Sequence, residues 1–175
     1  MRRYAKHVRT AGLALALIVV TGCSQSAELV RFNDQIAESN RKLARAAWDF
    51  REAIIPLSNN QKADFNRVKA SHDKLLALVK QIREERKKVK VPKGAEEFHK
   101  AYDAYLEGQQ QIVEGEFAMI VRYVENERLS LAGKWAEIQK QIFKVDEKAR
   151  RTRDKLTEAQ NKFANDVNMR LVQFY

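Results

Sequence analysis

Apolar residues recur every seven positions through the first third of the chain, and this spacing limits what the chain can fold into. The repeat consists of Leu29, Ile36, Leu43, Phe50 and Leu57. Two turns of an α-helix take about seven residues, so these side chains fall on one side of a helix. A helix with one apolar stripe has to bury it against other helices, and the pattern therefore predicts a helical fold.

Three further segments carry a similar stripe, with apolar positions spaced alternately three and four apart. In the second segment the stripe is Phe65, Val68, His72, Leu75, Val79, Ile82, Arg86 and Val89. In the third it is Phe98, Tyr102, Tyr105, Leu106, Ile112, Val113, Phe117, Ile120 and Val124. In the fourth it is Leu131, Trp135, Ile138, Ile142, Val145, Ala149, Thr152, Leu156, Ala159 and Phe163. Each segment thus predicts one amphipathic helix.

Three breaks separate the stripes. Pro56 ends the first pattern, and Ser58 and Gln61 have the spacing of a capping box that would restart a helix. Pro92 fits the first position of a third helix, and Ser130 is the one good cap before the fourth. The expected helices span residues 27–55, 59–90, 93–126 and 131–172.

We therefore predict an all-α fold, an antiparallel up-down-up-down four-helix bundle with coiled-coil-like seams. Two alternatives remain, namely a helical hairpin that turns only at Pro92 and a bundle in which the third and fourth helices are fused. Gly108 and Gly115 lie seven apart on one side of the third helix, where they would let a neighbouring helix approach closely. The low glycine and proline content, 6 and 2 residues, leaves little room for a sheet.

The start of the chain has the layout of an export signal. Four basic residues and no acidic residue precede a short apolar run from Leu13 to Val20. The run is too short for a comfortable membrane span and ends at Val20-Thr21-Gly22-Cys23. The tetrad resembles the lipobox of bacterial lipoproteins.

That resemblance implies cleavage between Gly22 and Cys23, a diacylglyceryl group on the Cys23 sulfur and an acyl chain on the new amino terminus. Residues 1–22 would be the signal peptide, 23–26 the acylated cysteine with a short linker, and 27–175 the bundle. Cys23 is the single cysteine, so this interpretation leaves no disulfide and no thiolate metal site. Ser24, in place of aspartate, resembles the outer-membrane sorting choice of enteric lipoproteins, which favours an outer-membrane address facing the periplasm.

A basic cluster lies at the expected end of the second helix. It comprises Arg83, Arg86, Lys87, Lys88, Lys90 and Lys93, in a chain with a net charge of +10. These cations suit an anionic lipid or an acidic glycan. They also suit the negative end of a helix dipole, and in that case they form only a solvated helix end.

Helix 1 has a second, thinner apolar stripe, which contains Val30, Ala37, Trp48 and Ile55. It could bind an envelope protein or a second copy of the chain. Alternatively, it widens the face that helix 1 buries against its bundle neighbours.

Motifs for catalysis or cofactor binding are missing from the sequence. Glu96 and His99 have the Glu-x-x-His spacing of di-iron bundles, but those bundles need two such motifs and this sequence has one. His72 lies within the apolar stripe of the second segment. We expect no enzyme activity, metal, further cofactor or nucleic acid partner.

The function expected from the sequence is a non-enzymatic interaction or scaffolding module at the membrane surface. One alternative is an ATP-independent chaperone, since residues 57–61 and 156–160 resemble the Leu-Thr-x-x-Gln motif of the Spy and CpxP type. Another is a ligand- or metal-binding bundle that uses His72 or His99.

The lipobox can be tested with the variant Cys23→Ala. Without the thiol there is no site for the diacylglyceryl group, so the variant should stay uncleaved or soluble and should incorporate no labelled fatty acid. Processing and membrane attachment equal to those of the parent chain would exclude the lipid anchor.

Overall fold

The computed structural model describes residues 17–19, 24–167 and 170–172, and it describes side chains from residue 27 to residue 167. The helices are α1 (Ser24–Ser58), α2 (Phe65–Lys87), α3 (Glu96–Ile112), α4 (Ala118–Glu125) and α5 (Leu131–Asp166). Two three-residue strands, β1 (Leu17–Val19) and β2 (Arg170–Val172), form an antiparallel pair. The described chain is otherwise helices and their connections, which confirms the all-α prediction.

A π-helical segment, Val113–Phe117, joins α3 to α4 without a break in the helix. Residues 96–125 are therefore one helical run, and the described helices form four such runs. A π segment inserts an extra residue into a helix and shifts the faces on either side of it relative to each other. On either side of it, α3 and α4 both pack against α2 and α5.

The core consists of two hydrophobic clusters, one towards each end of the bundle. The first packs the beginning of α1 against the end of α2, the beginning of α3 and the end of α5, around Phe32, Leu75, Phe98 and Phe163. The second packs the end of α1 against the beginning of α2, α4 and the beginning of α5. Its centre is formed by Phe50, Val68, Ile120 and Ile138.

The predicted stripes account for most of this core. All five positions of the α1 repeat are buried, as are Val68, Leu75, Val79 and Ile82 of α2. In α5 the stripe is less deeply covered, because Ile142, Val145 and Ala149 in its middle are only half-buried. The bundle is therefore packed more loosely along the centre of α5.

The first turn between helices differs from the prediction. α1 runs through Pro56 to Ser58, and α2 begins at Phe65 instead of residue 59. The Ser58 hydroxyl donates to the Ile55 carbonyl, so it forms no capping box with Gln61. The cap of α2 is Asp64, whose carboxylate accepts from the backbone N–H of Arg67.

The other helix ends differ by smaller amounts. α1 begins at Ser24, inside the predicted linker, and α3 begins at Glu96 instead of residue 93. The cause at α3 is Gly94, whose φ of 91° is incompatible with a helix and whose N–H donates to the Glu96 carboxylate. α5 ends at Asp166, six residues before its predicted end. The Ser130 cap forms as predicted, because its hydroxyl accepts from the Gly133 N–H.

The two glycines of the third helical run have different environments. A Cβ on Gly108 would lie 2.7 Å from Cγ2 of Thr152 on α5, so Gly108 does permit a close approach. Gly115 lies in the π segment, and a Cβ there would meet no atom of the described residues within 4 Å. The prediction of close packing is right for Gly108 and wrong for Gly115.

The cluster assignments predict how two truncations differ. Leu75→Ala should lower the free energy of unfolding by about 2–5 kcal/mol, because Leu75 is buried in the first cluster. Phe143→Ala is the control, because Phe143 on α5 is 72% exposed and its loss should change stability by less than about 0.5 kcal/mol. Urea unfolding of both variants measures the difference, and equal effects would contradict the burial assignment.

Candidate functional site

A buried arginine marks the end of the bundle where α1 begins. Arg86 of α2 is only 4% exposed. Its guanidinium carbon lies 4.7 Å from the centre of the Phe32 ring on α1 and 5.5 Å from that of Tyr102 on α3. Both distances are within the range of a cation–π interaction, so one cation joins three helices.

His99 of α3 completes this polar centre. Its Nδ1 accepts a hydrogen bond from Nη2 of Arg86 at 3.0 Å, since a guanidinium can only donate. The ring proton is therefore on Nε2, which lies 3.3 Å from the carboxylate of Asp103. The order Arg86, His99, Asp103 leads from the interior to the surface, where Asp103 is exposed.

Burial shifts the titration of this centre. Desolvation lowers the pKa of His99, the nearby Arg86 charge lowers it further, and Asp103 acts in the opposite direction. Desolvation also lowers the pKa of Arg86. The fold thus favours a neutral His99 as the partner of a charged Arg86.

The predicted anionic-surface cluster divides into an interior residue and a surface group. Arg86 is buried, and its aromatic environment does not fit the predicted role in contacting an external anion. Lys87, Lys88, Lys90 and Lys93 are exposed. Arg83 is half-buried and donates to the side chain of Gln110 on α3. We call the four exposed lysines the basic pole.

The basic pole lies at the same end of the bundle as the beginning of α1. Arg86 stands directly before Lys87 and touches Phe32, which is eight residues after the first residue of α1. The end of α5 lies at this end too, because Nε2 of Gln160 donates to Oδ1 of Asn33 at 3.3 Å. The beginning of α3 lies there as well, so all four helical runs begin or end at this pole.

The second histidine holds the π segment. Nε2 of His72 donates to the backbone carbonyl oxygen of Val113 at 3.0 Å, and Nδ1 lies 3.2 Å from a carboxylate oxygen of Asp73. Phe50 packs on the His72 ring and stacks on Phe117, the last residue of the π segment. His72 is therefore a structural residue of the core.

The predicted partner stripe of α1 does not form a continuous exposed surface. Ala37 is buried, and Val30 and Ile55 are half-buried, so these positions widen the buried face of α1. Trp48 alone is open, at 47% exposure, and the Arg51 guanidinium covers one face of its ring at 4.9 Å.

Other sequence candidates have structural roles or lie outside the described residues. Gly22 and Cys23 lie outside them. Glu96 bonds to Gly94 and His99 to Arg86, so the Glu-x-x-His pair does not converge, and the described residues contain no cluster of metal-binding side chains. In the segment 156–160, Leu156 and Gln160 are buried in α5. None of the described helices is long and apolar enough to cross a membrane.

Several polar residues of the interior were missed from the sequence. Asn33 and Asn40 of α1, Glu116 of the π segment, and Gln141 and Gln160 of α5 are all buried. Glu116 pairs with Lys148 of α5 at 2.6 Å. Asn33 and Asn40 lie seven residues apart on α1, the same spacing as its apolar repeat. That spacing could have indicated from the sequence that both asparagines face the interior.

Comparison with known proteins gives no relative, since no protein-family model, curated protein or solved structure matches the chain.

The lowered pKa of His99 predicts a pH-dependent stability. The unfolded chain binds the proton more readily than the folded chain, so stability is fully present above the ordinary histidine pKa of about 6.5 and falls as the pH drops below it. The melting temperature should therefore decrease between pH 7.5 and pH 5.5. His99→Gln should reduce that decrease. An unchanged pH dependence in His99→Gln would refute the assignment.

Proposed function

We propose that this chain is a lipid-anchored lipoprotein of the bacterial envelope, and that its bundle is a non-enzymatic interaction or scaffolding module at the membrane surface. The observation that carries the proposal is the tetrad Val20-Thr21-Gly22-Cys23 behind a basic and then apolar segment. The anchor is the covalent diacylglycerol and the N-acyl chain on Cys23. Ser24 favours the outer membrane over the inner membrane.

The short distance between anchor and bundle supports a position close to the membrane. α1 begins at Ser24, the residue directly after the proposed acylated cysteine. At a rise of about 1.5 Å per residue, Phe32 lies only about 13 Å along the chain from Cys23. The end of the bundle that contains Arg86 and Phe32 is then the end nearest the lipid.

We further propose the up-down-up-down antiparallel arrangement with coiled-coil-like seams. Paired contacts run in opposite directions along neighbouring helices, which supports this topology. Between the third run and α5, Glu97 pairs with Lys162 and Glu116 with Lys148. Between α2 and the third run, Lys80 contacts Glu114. Arg86, six residues later on α2, contacts His99, fifteen residues earlier on the third run.

In this arrangement the basic pole faces the membrane. Each cation near an anionic bilayer contributes about 1 kcal/mol of attraction, which decays within a Debye length. The acyl chains supply most of the attachment, and the four lysines orient the bundle on anionic head groups or acidic glycan. One of them, Lys87, is also paired with Glu84, which reduces its share.

Vesicle binding tests the orientation. The described core residues lie between Leu29 and Ala164, so a chain of residues 24–175 keeps the core but lacks the anchor. It should bind vesicles that contain anionic lipid, should release them as salt is raised, and should not bind neutral vesicles. Replacing Lys87, Lys88, Lys90 and Lys93 by Gln should abolish most of the binding.

A charge-matched variant serves as the control. Lys62, Arg67, Lys69 and Arg128 are four exposed cations at the opposite end of the bundle. Their replacement by Gln removes the same charge and should leave vesicle binding nearly unchanged. If both variants lose binding equally, only the net charge matters, and the oriented pole is excluded. Equal binding to neutral and anionic vesicles, or none to either at low salt, would also exclude it.

A further inference from the structure

A cavity of about 150 Å³ opens where α1 and α5 face each other. Its floor is apolar and includes Leu75, Val79 and Ile112. Its walls are small side chains, Ala44 and Ala47 on α1 and Ala149 on α5. The cavity is partly open to solvent, and its lining is mainly apolar, so the space suits hydrocarbon.

The register of the two helices explains why the space exists. The hydrogen bond between Asn33 and Gln160 fixes the alignment of α1 with α5. Because the two helices are antiparallel, a residue a given number of positions after Asn33 is level with the residue the same number of positions before Gln160. Ala44 is therefore level with Ala149, and Ala47 is level with Asp146. All four residues do line the cavity. Alanine faces alanine at its centre, and no large side chain fills the gap.

One end of the cavity is polar. Arg153 lines that end. It lies seven residues before Gln160, and Asn40 lies seven residues after Asn33, so the register places the two level with each other. Asn40 is not among the lining residues; it is 2% exposed, and neither atom of its amide has a hydrogen-bond partner among the described residues. Arg153 is therefore the cation available to a ligand at this end of the cavity.

The two most exposed large apolar side chains of the described residues lie beyond the other end of the cavity and are not part of its lining. Trp48 on α1 and Phe143 on α5 are 47% and 72% exposed. The same register places them within about one turn of Ala47 and Asp146. Asp146 lines the cavity at this end, so an anionic group is attracted towards Arg153 and repelled from Asp146.

We propose that the cavity between α1 and α5 binds the chain of a fatty acid, with its carboxylate at Arg153 and its tail over Leu75, Val79 and Ile112. The lining extends about 12 Å along α5, from Val145 to Arg153, which fits a medium-length chain. A space of about 150 Å³ suits a single hydrocarbon chain better than the helix of a partner. This site is independent of the anchor on Cys23 and of the basic pole.

Photo-crosslinking of the full chain tests the proposal. The chain is placed in lipid nanodiscs and exposed to decanoic acid that carries a diazirine, and the labelled residues are located by mass spectrometry. Labels should appear on the α1 and α5 residues of the cavity. At a limiting probe concentration, Arg153→Gln should reduce this labelling about tenfold, as expected for the loss of a charged hydrogen bond. Arg150→Gln is the control with the same charge change at an exposed neighbour, and it should have no effect.

Two further arms separate the contributions of the tail and the head group. The methyl ester of the probe lacks the carboxylate charge, so its labelling should be the same in the parent chain and in Arg153→Gln. Ala149→Leu fills the cavity and should abolish labelling by both the acid and the ester. If that variant does not fold, the comparison of Arg153→Gln with Arg150→Gln still tests whether the carboxylate binds at Arg153. Labelling spread over other surfaces, or equal in all variants, overturns the proposal. So does a dimer, separated by size-exclusion chromatography after labelling, that carries no label, because the cavity would then be a dimer interface.

Discussion

The end of the bundle that contains the basic pole is organised around a buried cation that forms no ion pair with a carboxylate of the described residues. Arg86 is held by the faces of two aromatic rings and by the lone pair of one histidine, and these partners come from α1 and α3. Its Nε and Nη1 have no hydrogen-bond partner among the described residues. A buried charge is costly unless its surroundings are fixed, so Arg86 makes the arrangement of three helices at this end specific. The same bond selects the tautomer of His99.

This interaction also relates the chemistry of the interior to the proposed position at the membrane. The guanidinium is turned inward, whereas the lysines that follow it in sequence face solvent. The pole therefore combines a buried cation in its interior with solvent-exposed cations at its surface. That combination suits a surface that has to keep its shape while contacting many head groups with individually weak interactions.

The fold was more predictable from the sequence than the site. Apolar periodicity located the helices and most buried positions, because burial of one stripe is the dominant demand on each helix. The predicted capping box at Ser58 was wrong, because α2 begins later, at Phe65, where the Asp64 carboxylate accepts from the backbone N–H of Arg67. The π segment could not be foreseen, since its cause is a contact from His72 that lies 41 residues away in sequence. The cavity was also hidden, because alanines in a seam predict close packing, and only the register shows that they face each other.

The hydrogen bond between Asn33 and Gln160 joins residues 127 positions apart. α5 contributes to both hydrophobic clusters, so neither cluster is complete until the last helix has been made and has reached the others. A chain that crosses a membrane from its amino terminus can pair α1 with α2 early, but it has to keep an apolar face of α1 open until the end of transport. If the chain is exported as proposed, the time between emergence and closure is set by α5, and a factor that shields α1 in that interval would protect the chain from aggregation.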